Sequence, residues 1–383
     1  MRRPEPELVA MLATTAVLAI GSGLLRQGCA VADGWCPTDL KVMWWERGLA
    51  AGLPPYQTPV PGSMGLEYPV LTGELMWLLA LPSSTLSGFV WLSTIVLGLC
   101  AVAITALLYP VAGRRTWLWA AAPSLVWYVS FNYDALVSLF AVAALVLLSG
   151  RYPDTIARQR IFVAAALLGA GGAAKLYPLL FLLPMLLWIL FGDPRARLGL
   201  AAQALGVTLG TFVLINLPVF LANPAGWLAP YLFQASRPIR VDTLSIWVML
   251  SELPSGWVNA AAAVATAIAL IAVSVWSWRR GRQLGDYPLL PASLLILIVY
   301  LLANKVYSPQ YLLWLLPLLV LAGISTSSVI GYLVLDAALF WALQLAYNGT
   351  GQLMVVGVIS LVTMAAVRFF LTAALGRQAA ALE

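Results

Sequence analysis
The chain has 383 residues, 62% of them hydrophobic and only 9% charged, where a soluble domain carries about 25% charged residues; this composition excludes a water-soluble globular protein. The net charge of +6 comes from arginines in short loops, which is the positive-inside signal of a membrane protein and not the basic patch of a nucleic-acid binder. The absence of histidine removes histidine triads, histidine general bases and histidine metal sites together.

Backbone in lipid must be satisfied within helices or closed barrels, and long apolar runs without alternation predict helices. A spanning helix needs about 20 apolar residues. The first run, 8–25, follows Arg2 and Arg3. It reads as a retained anchor, because no small-residue cleavage site precedes the polar loop. Further spans are expected at 86–109, 116–130, 134–149, 161–175, 177–191, 198–221, 256–278, 287–304, 311–323, 328–347 and 352–371. Residues 68–81 are apolar but too short to cross comfortably, and read as an interfacial or re-entrant helix. That choice places Arg114–Arg115, Arg151, Arg158 and Arg160, Arg195 and Arg197, Arg279, Arg280 and Arg282, and Arg377 on one side with both termini, the cytoplasmic side. The expected architecture is an all-α, multi-pass cell-membrane protein of about 12 transmembrane helices. It forms one integral domain over 1–383, with an outer loop over 26–85 bearing the interfacial or re-entrant helices. No internal repeat is evident, which disfavours transporter folds built from inverted repeats.

The residues able to do chemistry gather at span ends on the opposite, outer face. The first outer loop holds Asp39, Glu46, Arg47 and Glu67. Asp39 opens an amphipathic stretch to Ala51 suited to the bilayer surface. Two readings stand side by side: a general base, or the cap of that helix after Thr38. Glu67-Tyr68-Pro69 marks the return to the membrane, a position where tyrosine also serves as an ordinary interfacial anchor. Asp134 follows Asn132-Tyr133 between two spans. Lys175, in Ala174-Lys175-Leu176-Tyr177-Pro178, is costly so close to apolar sequence unless it snorkels or meets a phosphate or carboxylate. Arg237 and Arg240 run against the positive-inside trend; their forked donors suit phosphate oxygens, with Asp242 and Glu252 as the alternative partners. Asn304-Lys305-Val306-Tyr307-Ser308-Pro309-Gln310-Tyr311 is the densest polar segment of the C-terminal half. Asp336 lies mid-span and alone at its depth; an intramembrane carboxylate is a functional candidate by default, and a structural role is the other reading. The tryptophans, among them Trp44 and Trp45, read as interfacial belt residues, with sugar stacking by Trp44 or Trp45 as the other reading. Cys29 and Cys36 share the outer loop; the sequence leaves a disulfide between them and free thiols both open. No metal-binding motif and no cofactor are expected.

Taken in order, Thr38-Asp39-Leu40-Lys41-Val42, Gly52-Leu53-Pro54-Pro55-Tyr56 and Glu67-Tyr68-Pro69-Val70-Leu71 resemble the first outer loop of the GT-C glycosyltransferases. The resemblance is to the actinobacterial polyprenol-phosphate-mannose-dependent mannosyltransferases, glycosyltransferase family 87. Ala174-Lys175-Leu176-Tyr177-Pro178 and Lys305-Val306-Tyr307-Ser308-Pro309-Gln310-Tyr311-Leu312-Leu313 are similar to that family's later motifs, so the ordered set runs from residue 38 to about 320. The resemblance implies a GT-C fold and a cell-envelope enzyme of glycolipid biosynthesis. Such an enzyme moves a sugar, mannose first, from a polyprenyl-phosphate donor to a glycolipid or polysaccharide acceptor on the outer face. It places Asp39 at the family's general base. Glu67, Tyr68, Asp134, Lys175, Tyr177, Arg237, Arg240, Lys305, Tyr307 and Gln310 become candidates for binding donor or acceptor. One base and an anionic leaving group fit a single inverting displacement. The missing histidine departs from relatives that use one on the outer face. The rival readings are a polyprenyl-phosphate-arabinose-dependent arabinofuranosyltransferase and, in another class, a lipid or solute transporter or flippase. A transferase requires Asp39, Lys175 and Lys305 to converge on one cavity; a transporter requires paired polar residues near mid-membrane.

Overall fold
The computed structural model describes residues 5–32, 38–57, 65–149, 158–237, 244–250 and 252–382. Every regular element among them is helical. The chain runs α1 (Pro6–Arg26), α2 (Asp39–Trp45), α3 (Val70–Ala80), α4 (Leu86–Ala112), α5 (Trp117–Ala120), α6 (Ser124–Tyr128), α7 (Asp134–Leu148) and α8 (Arg158–Ala174). It continues through α9 (Leu182–Leu190), α10 (Pro194–Ala222), α11 (Pro224–Ser236), α12 (Ser255–Leu284), α13 (Leu289–Ala303), α14 (Leu312–Leu321), α15 (Thr326–Asn348) and α16 (Gln352–Ala381). Among the described residues six helices are long and apolar enough to cross a membrane. The other expected spans fall on shorter helices or broken pairs: α5 with α6, α7, α8, the 3-10 turn Tyr177–Phe181 with α9, α13, and the turn Pro309–Tyr311 with α14.

Length follows position in the bundle. All ten residues of α14 are buried, and nine of the fifteen in α13. These short helices form the centre. The long helices α10, α12 and α16 keep apolar side chains such as Leu214, Ile268 and Phe370 exposed on their outer faces, where a bilayer would cover them. Without a hydrophobic driving force in lipid, small residues let helices approach. At Gly169 of α8 an added Cβ would lie 2.3 Å from the Thr208 carbonyl of α10, and the Thr208 hydroxyl donates to the Ala165 carbonyl across the same contact (3.0 Å).

The two ends of the bundle differ in chemistry. At one end the arginine-bearing turns meet both termini: Arg114 pairs with Glu7 (3.1 Å), Arg115 donates to the Ile324 carbonyl, and Gln378 donates to Ser328 (2.7 Å). The other end carries the irregular connections. There α2 and α3 lie between the first span and the rest. At eleven residues, α3 is about 16 Å long. It is fastened by Thr72, whose hydroxyl donates to the Ala174 carbonyl (2.8 Å), and by Trp77, whose indole donates to the Gly52 carbonyl (2.9 Å). The chain before it is held by Tyr56, which donates to the Tyr68 carbonyl (2.6 Å), while Asn223 donates to the Tyr56 carbonyl (3.0 Å).

That fastening leaves no room at Gly73, where a Cβ would sit 1.8 Å from the Tyr56 hydroxyl and 2.5 Å from Leu66. Gly73→Ala should therefore destabilise the protein by about 1–3 kcal/mol, the usual cost of overpacking. A thermal melt in detergent checks this; an unchanged midpoint would mean that α3 is not seated as described.

Candidate functional site
A cavity of about 320 Å3 opens among the irregular connections. Six separate stretches build its wall: Asp39; Glu67 to Pro69; Asn132; Lys175 to Tyr177; the end of α11 through Arg237; and Tyr300 to Trp314. Asp39, Lys175 and Lys305, far apart in sequence, thus face one space.

Asp39 is the first residue of α2. The cap of that helix is Thr38, whose hydroxyl accepts from the Leu40 amide (3.4 Å) and donates to the Phe131 carbonyl (2.9 Å). The Asp39 amide donates to the same carbonyl (3.0 Å). With the cap supplied by its neighbour, the Asp39 carboxylate is left to accept the Tyr68 hydroxyl (2.7 Å). Burial pushes the Asp39 carboxyl above the usual carboxylate range. The Tyr68 hydrogen bond and the Lys175 charge pull it back, and the nearby Asp134 pushes it up again. Glu67 is raised by burial and by Asp39, with Arg47 opposing. Arg47 holds it at 3.3 Å, donates to the Gly65 carbonyl (3.3 Å) and lies 4.8 Å from the Phe233 ring centre.

Lys175 follows α8 where the helix has ended, and its ammonium donates to Asp134 Oδ1 at 2.6 Å. Asp134 is fully buried. Its amide is held by Asn132 Oδ1 (2.9 Å), so the Asn132-Tyr133-Asp134 turn aims the carboxylate at the lysine. Aromatic rings enclose the pair. Trp314 lies between Tyr177 and Tyr311, with ring centres 4.0 and 3.8 Å away, and Lys175 Nζ is 4.7 Å from the Trp314 centre. The Tyr177 hydroxyl donates to Ser138 (3.2 Å). On the opposite wall Lys305 donates to the carbonyls of Ala235 (3.1 Å) and Arg237 (3.2 Å). Burial and the Arg237 charge lower its pKa. The arrangement offers a buried carboxylate beside three cationic side chains, which suits deprotonating a hydroxyl next to an anionic group.

Of the residues singled out in the sequence, Asp39, Glu67, Tyr68, Lys175, Tyr177, Arg237, Lys305 and Gln310 line the cavity, and Asp134 stands behind Lys175. Tyr307 does not line it; its hydroxyl meets Tyr332 (2.7 Å) and Thr372 (2.8 Å). Arg240 and Asp242 lie outside the described residues. Cys29 is disulfide-bonded; Cys36 lies outside the described residues. Asp336 is not alone at its depth, since Ser124 (2.9 Å) and Tyr128 (3.2 Å) donate to it. Trp44 stacks on Phe89 in the core, and Trp45 points outward, 61% exposed; neither lines the cavity. Sequence reasoning passed over Trp314 and Tyr300, whose apolar surroundings disguise them, and Asn132, which the Asn-x-Asp spacing could have revealed as a turn-former. Among the described residues no three of the metal-ligating types lie together.

No protein-family model matches the sequence, and no curated protein matches it. The fold does match that of a solved structure, ArnT from Cupriavidus metallidurans bound to undecaprenyl phosphate, with a TM-score of 0.51 at 15% identity over 98% of this chain and 78% of that one. The chain therefore shares the fold of ArnT.

Breaking the Lys175–Asp134 pair would strand a buried carboxylate. Lys175→Met should cost about 3–5 kcal/mol, and adding Asp134→Asn should restore most of it, because the amide carries no charge to leave unpaired. Unfolding midpoints of the two single variants and the double variant test this; additive losses would show that the two groups do not act as a pair.

Proposed function
We propose that this protein is a membrane glycosyltransferase that transfers a sugar from a polyprenyl-phosphate donor to a glycolipid or polysaccharide hydroxyl, with inversion, on the outer face of the cell membrane. The observation that carries this reading is the convergence of Asp39 with Lys175, Arg237 and Lys305 on one cavity, within a fold shared with a protein crystallised with undecaprenyl phosphate. The arginine-rich end of the bundle, with both termini, would face the cytoplasm, which puts the cavity outside. Mannose is the sugar we favour, on the ordered motifs through residues 38–313 that resemble the polyprenol-phosphate-mannose-dependent transferases.

Asp39 takes the proton of the acceptor hydroxyl as its oxygen bonds to the anomeric carbon. On the opposite side of that carbon the bond to the phosphate oxygen breaks, and polyprenyl phosphate leaves with the electron pair. The hydroxyl is a weak nucleophile, and a positioned base contributes about 10²–10⁴-fold. The negative charge that grows on the phosphate meets Arg237 and Lys305 at the cavity wall. Fixed cations in a poorly hydrated site stabilise such charge strongly. Lys175, already committed to Asp134, favours the ionised form of Asp39 against the larger upward push of burial. Tyr68 both orients that carboxylate and favours its charged form.

Two outcomes follow. Asp39→Asn should lower transfer from polyprenyl-phosphate-mannose at least 10²-fold in protein that still melts like wild type; full activity in that variant would remove Asp39 from the reaction. The base must be ionised, so activity falls as pH drops through its raised pKa. Tyr68→Phe deletes a bond that favours the ionised form, so the acidic limb of the pH–rate profile should move to higher pH. A limb that moves down, or does not move, would separate Tyr68 from the base. Activity with a polyprenyl-phosphate-arabinose donor alone would keep this chemistry and change the sugar.

A further inference from the structure
One buried cation stands apart from the cavity. Arg368, in the middle of α16, is 1% exposed, and helix α16 supplies no residue to the cavity wall. An arginine at such depth is expensive and is kept where it meets carbonyls or a functional element. Here every nitrogen of the guanidinium is used. Nη1 donates to the Tyr307 carbonyl (2.8 Å). Nη2 donates to the carbonyls of Ser308 (3.2 Å) and Pro309 (3.3 Å). Nε donates to the Tyr332 hydroxyl (3.1 Å), and the guanidinium carbon lies 3.8 Å from the Tyr307 ring centre.

The three carbonyls are consecutive and belong to the unwound connection between α13 and α14. That connection carries Asn304, Lys305, Ser308, Gln310 and Tyr311 of the cavity wall. Irregular backbone shut away from water needs its polar groups satisfied from elsewhere, and a planar fork of five donors can satisfy adjacent carbonyls in one fixed geometry. The tether reaches further, because Lys305 in turn donates to the carbonyls of Ala235 and Arg237. Tyr307, which turns away from the cavity, completes the anchor: its hydroxyl and ring both face the Arg368 side.

We infer that Arg368 is a positioning residue for the cavity's cationic wall, holding the 304–311 connection so that Lys305 and Arg237 present their charges to a lipid-linked phosphate. This rests on the glycosyltransferase reading for the ligand and on the hydrogen bonds alone for the positioning. Lysine at 368 keeps the charge but has a single nitrogen, which cannot reach all three carbonyls together.

The test uses full-length protein in detergent, wild type beside Arg368→Lys, Arg368→Met and Trp119→Phe. The last removes a buried hydrogen bond from the Trp119 indole to the Ala101 carbonyl, remote from the connection, and controls for general loss of stability. Amide hydrogen exchange over 304–311 should rise in both Arg368 variants and stay at the wild-type level in Trp119→Phe. Binding of a polyprenyl monophosphate, followed by tryptophan fluorescence, should weaken by about tenfold or more in Arg368→Met, a loss in line with misplacement by a remote mutation. Arg368→Lys should fall between it and wild type. In transfer assays the donor KM should rise with a smaller change in kcat. Unchanged exchange over 304–311 in the Arg368 variants would overturn the positioning role, whatever the ligand. Equal losses of affinity in Trp119→Phe and Arg368→Met would also overturn it, because stability alone would then explain them. Raised exchange together with a wild type that binds no polyprenyl monophosphate would uphold the tether and overturn the ligand instead.

Discussion

A carboxylate can be buried at a membrane surface only if something answers its charge, and the Lys175–Asp134 contact at 2.6 Å is where this protein meets that condition. Asp134 is fully buried at the start of α7 and Lys175 lies just past the end of α8. Their pairing fixes how those two helices end relative to each other. The Thr72 hydroxyl on the Ala174 carbonyl then seats α3 beside the same corner, and the stack of Tyr177, Trp314 and Tyr311 brings in α14. The charge pair is thus also a structural joint. Burial raises the Asp39 carboxyl overall; the Tyr68 hydrogen bond and the Lys175 charge oppose that rise, and Asp134 adds to it.

The cavity is divided by charge. One wall, from the start of α2 and the chain before α3, carries Asp39 and Glu67, with Tyr68 and Arg47 holding them. The other, from the end of α11 and the 304–311 connection, carries Arg237 and Lys305. A substrate with a hydroxyl at one end and a phosphate at the other would find matching partners in one orientation only. Preorganisation of this kind requires that neither wall drift. The acidic wall is fixed through Thr38 and the Asp39 amide on the Phe131 carbonyl, and the basic wall through Arg368 on three consecutive carbonyls.

Breaks in the helices serve the same end. The long helices α10, α12 and α16 lie towards the outside of the bundle, where lipid offers no hydrogen bond and the ladder must be complete. Of the irregular stretches at 121–123, 175–177 and 304–311, the last two supply backbone and side chains to the cavity.

Much of this was legible in the amino-acid order. Apolar runs of spanning length, arginines at alternate ends and a fixed order of charged span termini determine a helical multi-pass fold with its polar chemistry at one end, because lipid forbids other backbone arrangements and makes stray charges costly. What sequence could not determine was direction. Tyr307 and Gln310 lie in one motif, yet one faces Arg368 and the other the cavity. Trp44 reads as an interfacial residue but packs on Phe89. Thr38, not Asp39, caps α2. A helix apolar all round reads the same whether it is central like α14 or lipid-facing like α12, since lipid and protein interior are equally dry. Those choices, together with the meeting of Arg368 with residues about sixty positions earlier, depend on which helices pack together, and only the tertiary structure decides that.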